Sequence, residues 1–112
     1  MSNKGQERSN PSRGGIRTIR SLVAIGQYDW TEKVLKAIED GRCTPEDLEH
    51  CIATGTVTKK NRDRLGNSVG NKVYTILGRD CAGCEFYTAG KIVKGSDGAI
   101  YFFVTARRSK RG

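Results

Sequence analysis

Three sets of residues in this 112-residue chain are of types that could carry chemistry. Cys81-Ala82-Gly83-Cys84 sets two thiols at the spacing of a zinc half-site or a redox pair. One histidine, His50, is present. The third set joins tyrosines to cations: Tyr74 follows Lys72 and precedes Arg79, Tyr87 precedes Lys91, and Tyr101 precedes Arg107 and Arg108. Phenol rings stack on unpaired bases while neighbouring cations hold phosphates, so these are the residue types of a single-stranded RNA site. No phosphate loop, H-E-x-x-H, G-x-S-x-G or paired-carboxylate arrangement accompanies them.

The thiols favour two readings. A redox pair needs a helix N-terminus to lower the thiol pKa, and this pair lies between two predicted strands. Zinc at Cys81 and Cys84 would need two more ligands, and the other cysteines are poorly placed to supply them. Thr44 to Cys51 is seven helical rises, about 10 Å, so Cys43 and Cys51 stand too far apart to share a metal or a disulfide. The pair is then a zinc half-site, or simply reduced thiols in an Asp80-Cys81-Ala82-Gly83 turn. No other cofactor is expected. His50 follows Leu48 by two positions, about 200° around a helix, and should point to solvent without a partner. Trp30, beside Tyr28, reads as a core anchor.

The elements that must position these residues fall into two groups. Ile16, Ile19 and Val23 recur at helical steps up to Gly26, and Val34, Leu35 and Ile38 repeat the spacing up to Gly41. Thr44-Pro45-Glu46-Asp47 puts a hydroxyl at an N-cap, proline at the first helical position and acids in the first turn. That third helix would bury Leu48, Cys51 and Ile52 and stop at Gly55. Residues 61–71 then read as a mobile polar loop. Lys72 to Leu77, Glu85 to Val93 and Ala99 to Ala106 are predicted strands, with Gly95-Ser96-Asp97-Gly98 turning the last two into an antiparallel hairpin. The fold class is α+β: two or three N-terminal helices on one face of a curved antiparallel sheet of three to four strands.

Alternation divides the strands into two faces. Val73, Thr75 and Leu77, with Phe86, Thr88 and Ile92, and Ile100, Phe102 and Val104, are expected under the helices. Lys72 and Tyr74, Tyr87 and Lys91, and Tyr101, Phe103 and Arg107 would then share the open face.

Charge adds a second pointer. The net +8 sits at the ends: residues 1–20 contribute +4, residues 105–112 another +4, and the rest sums to zero. Basic arms on a small domain suit polyanion binding through counterion release. We expect a disordered basic tail over 1–15, one domain over 16–108 and a basic tail over 109–112. No apolar run reaches the ~20 residues of a membrane helix, and no secretory signal is visible, so a cytoplasmic protein without membrane contact is expected.

The runs WTEKVLKAIEDGRCTPEDLEHCIATGTV, NKVYTILGRD and AIYFFVTARR resemble the RelE-like toxin superfamily over about residues 16–108. The resemblance is nearest to a RelE-like bacterial domain family of unknown function and more distant from MqsR- and BrnT-like toxins. It implies helices followed by a curved sheet, an endoribonuclease activity and an antitoxin partner. It also implies metal-independent RNA cleavage by lysines, arginines and a tyrosine, for which Lys72, Tyr74 and Arg79 are the candidates, with Tyr87, Lys91, Tyr101, Arg107 and Arg108 binding RNA. The chain departs from the family at Lys33, where a histidine is usual. Lysine is a poor base near neutral pH. Two readings of other classes stand beside this one: a non-catalytic protein-interaction module, and a zinc-binding accessory protein built on Cys81 and Cys84.

Overall fold

Thr44 opens a helix in the computed structural model, which describes residues 15–108. Its hydroxyl accepts the Asp47 N–H at 3.1 Å while the Asp47 carboxylate accepts the Thr44 N–H at 3.0 Å. This capping box starts helix α3, Pro45–Thr54. Two helices precede it: α1, Ile16–Ala24, and α2, Glu32–Glu39, the latter capped by Thr31. The strands are β1, Tyr28–Trp30; β2, Thr56–Arg62; β3, Lys72–Arg79; β4, Glu85–Gly95; and β5, Gly98–Arg108.

The class is α+β: three helices, whose buried residues share one core with the sheet, and a single sheet. The sheet itself departs from expectation. It has five strands in the order β1-β5-β4-β3-β2, and it is mixed, because β1 pairs parallel to β5. A three-residue strand is too short to show a period, which hid β1. Strand β2 runs into the stretch read as a loop; its residues are nearly all exposed, so no apolar alternation marked it. The β4–β5 hairpin turns where expected, between Gly95 and Gly98. The two tails, 1–14 and 109–112, lie outside the described residues. Among the described residues, no helix is long and apolar enough to cross a membrane.

Register decides which side of the sheet is covered, and it reverses two of the three expected assignments. Phe86, Thr88 and Ile92 of β4 do face the helices. Ile92 stands opposite Tyr101, and Gly90 stands opposite both Tyr74 and Phe103, so these aromatics share the covered side. Tyr74, Tyr101 and Phe103 are accordingly buried, at 4%, 0% and 0% exposure. Val73, Thr75 and Leu77, with Ile100, Phe102 and Val104, lie half-buried on the other side. Gly90 makes the arrangement work: a Cβ there would collide with the Tyr101 ring. That ring meets Phe103 edge-on, with centroids 5.0 Å apart. Gly78 serves a similar end on β3, since a Cβ would run into the Cys51 carbonyl where α3 crosses the sheet.

Candidate nucleic-acid interface

On the helix-free side, cross-strand pairing lines up Leu77, Tyr87 and Arg107 in one row and Lys59 with Thr75 in the next. The Arg107 guanidinium carbon lies 4.9 Å above the Tyr87 ring centroid, a cation–π contact at a partly solvated site. These residues, with Glu85 and Thr58, line a shallow depression of about 510 Å³.

Arg107 also forms the wall of a second depression. Helix α2 and the end of β5 enclose a cleft of about 560 Å³ bordered by Lys33, Lys36, Arg42 and Arg107, with Glu32 as its acid. Lys33 and Arg107 thus border the same cleft. Sequence reading did not find this cleft. Its one signal was the i, i+3 spacing of Lys33 and Lys36, which puts both on one helix face.

Several expected site residues stand elsewhere, and each is a correction. The Tyr74 hydroxyl, expected on the open face, accepts the Gly15 N–H at 3.1 Å on the covered side. Tyr101 is sealed in the core, and among the described residues its hydroxyl has no hydrogen-bond partner. Lys91 is on the expected side but is only 6% exposed. Its Nζ lies 3.4 Å from Asp63 Oδ1 and 2.8 Å from Asn67 Oδ1, so the segment after β2 folds over it. Residues 61–71 are therefore tied down by a buried ion pair rather than a free loop. Lys72 sits at the start of β3 opposite Arg62. Arg79 ends the same strand, donating to the Gly83 carbonyl at 3.0 Å. Over seven residues of strand, Lys72 and Arg79 are about 23 Å apart.

Arg108 is committed to the fold. Its Nε donates to Asp80 Oδ2 at 2.8 Å and its Nη1 to the Arg42 carbonyl at 2.9 Å. Asp80 is completely buried, and its Oδ1 also accepts the N–H groups of Ala82 and Cys84. Burial alone would raise its carboxyl pKa, but the Arg108 guanidinium and these N–H donors outweigh that and hold it below the ordinary range.

Cys81 and Cys84 are exposed in the β3–β4 turn, while Cys43 and Cys51 are buried; all four thiols are free. Desolvation and then the neighbouring Asp47 carboxylate push the Cys81 thiol up, which disfavours the thiolate that metal binding or disulfide exchange requires. Among the described residues, no group of three or more His, Cys, Asp or Glu side chains is placed to hold a metal ion. His50 is half-buried, not solvated as expected. Its Nδ1 lies 3.0 Å from the Arg79 carbonyl, because α3 passes over the end of β3. An oxygen acceptor requires the proton on Nδ1.

The chain matches no family model, and no curated protein or solved structure gives a match to it.

Proposed function

We propose that this chain is a small RelE-superfamily-like protein that binds single-stranded RNA on the helix-free face of its sheet, around Tyr87 and Arg107. The observation that carries the reading is the guanidinium of Arg107 spread over Tyr87 on an uncovered face. A guanidinium in that position offers its plane to a base and its N–H groups to a phosphate. Lys59 across the depression adds a second cation, and Leu77 an apolar floor. Binding without strand cleavage fits this geometry best. Lys72 and Arg79 are too far apart to act on one phosphodiester, and the Tyr74 hydroxyl is turned into the covered side.

Titration of a labelled single-stranded RNA with the full chain tests this. Tyr87→Ala should weaken binding by about 1–3 kcal/mol, the worth of one base–aromatic stack. Arg107→Ala should weaken it across RNA sequences and lower the salt slope by about 0.7, the value for one phosphate contact on a single strand. The RNA should remain intact on long incubation. Wild-type affinity in both variants would end the RNA reading.

The second reading, a protein-interaction module, is favoured by the edge of β5. Beyond Phe103 this strand has no strand partner on the β1 side among the described residues, the Val104 carbonyl accepting only the Thr31 hydroxyl there. An unpaired edge can accept a strand from another protein, and an antitoxin is the kind of partner the resemblance implies. Co-purification of a protein that protects the amides of Thr105 to Arg108 from exchange would support it.

A further inference from the structure

Arg107 borders both the depression at Tyr87 and the α2–β5 cleft. The cleft is rich in cations that the fold does not consume. Lys36 and Arg42 share a single carboxylate, Asp40, at 4.0 and 3.2 Å. These are exposed pairs, which contribute little and exchange readily with other anions. One guanidinium has five donors, so Arg42 keeps several free while it touches Asp40.

The backbone of Arg42 is nevertheless anchored. Its carbonyl accepts from Arg108, which is anchored on the buried Asp80 carboxylate. The strand forming the opposite wall has run past its β1 partner, so part of its backbone edge faces the cleft unpaired by another strand. Backbone N–H groups beside lysines and arginines are the usual donors to phosphate oxygens.

From this we infer that the α2–β5 cleft holds the phosphate backbone of the RNA strand whose base lies at Tyr87. The strand passes around the free edge of β5, with Lys33, Lys36 and Arg42 on the phosphates behind the edge. Arg107 stands at the crossing point. The inference rests on the RNA-binding reading of the Tyr87 face and extends the site to a second side of the molecule.

The test uses the full chain, tails intact, and oligouridines of about four and about twelve nucleotides, spanning the usual site sizes. Both lysines are exposed, so Lys33→Ala/Lys36→Ala should melt like wild type. It should bind the longer oligomer several-fold more weakly, with a salt slope lower by about 1.4, two contacts at about 0.7 each. Its affinity for the shorter oligomer should change less, and Lys33→Arg/Lys36→Arg should restore both quantities. An unchanged slope in the alanine pair, with Arg107→Ala still weakening binding, would overturn the cleft and leave the Tyr87 face standing. No change in either variant would sink the RNA reading as well. Binding of uridine monophosphate as tight as that of the longer oligomer would make the cleft a nucleotide pocket and overturn the inference. Equal binding of a polyglutamate peptide would overturn it too, giving the cleft to an acidic protein segment.

Discussion

Arg108 Nε meets Asp80 Oδ2 at 2.8 Å, and the carboxylate is completely buried whereas the guanidinium is half-exposed. The end of β5 is thereby latched to the β3–β4 turn. The same carboxylate closes the turn through two N–H groups, and the same guanidinium holds the Arg42 carbonyl.

Asp80→Ala should therefore destabilise the protein by about 2 kcal/mol, since it removes the acceptor of two turn N–H groups and of the Arg108 guanidinium. Arg108→Ala should cost at least as much, about 3 kcal/mol, because it leaves the completely buried Asp80 carboxylate without its cation. Urea unfolding measures both. Asp80→Ala with a wild-type midpoint would mean that the turn holds itself.

Acid should unfold the protein by way of these carboxylates. Burial opposes the charge of both Asp80 and Asp47, but hydrogen bonds from Arg108 and Cys84, and from Cys81 and Thr44, hold both pKa values below the ordinary one. The unfolded chain binds protons first as the pH falls, near an ordinary aspartate value of about 3.9. The stabilisation is thus fully present above that pH and is lost as pH falls through the folded-state values. Asp80→Asn should show a shallower acid loss than wild type in urea midpoints measured from neutral to acidic pH. Parallel curves would contradict this account.

Lys91→Met should release the segment after β2 without touching the RNA site. It leaves Asp63, only 5% exposed, without its cation. Breaking one side of a buried pair costs about 3 kcal/mol or more. Amide exchange over residues 63–68 should quicken, while RNA affinity of the folded variant should stay at the wild-type value. Weakened RNA binding in that folded variant would return Lys91 to the interface.

Tyr101→Phe should be neutral or stabilising by up to about 1 kcal/mol, because the hydroxyl is buried without a partner. Tyr101→Ala should instead cost about 3–5 kcal/mol by leaving a cavity over Gly90. Thermal melts of the two variants decide it. A strongly destabilised Phe variant would reveal a hydrogen bond to a buried water.

What the chain declared by itself was local. Thr44, Pro45 and Asp47 marked a helix start, because a cap needs only residues within one turn. The helical spacing of Ile19 and Val23, and of Leu48, Cys51 and Ile52, marked buried faces, as their packing in the core bears out. The turn at Gly95 to Gly98 and the α+β class followed from the same short-range signals. The basic character around Arg107 was also legible, as composition.

Tertiary structure alone decided which face of the sheet is open. In β4 one alternate set carries Phe86, Thr88 and Ile92 and the other carries charges, so its covered side could be read directly. In β3 and β5 both sets are apolar: Val73 and Leu77 against Tyr74 and Ile76, and Ile100 and Phe102 against Tyr101 and Phe103. Alternation cannot choose between two apolar faces. The choice comes from register, a relationship between residues far apart in the chain: Tyr101 opposite Ile92, and Tyr74 and Phe103 over the space that Gly90 leaves empty. The same long-range pairing buried Lys91 against Asp63, tied Arg108 to Asp80 and put Lys33 and Arg107 on one cleft. Such contacts leave no period in the sequence, since they depend on where two strands or a strand and a helix come to rest.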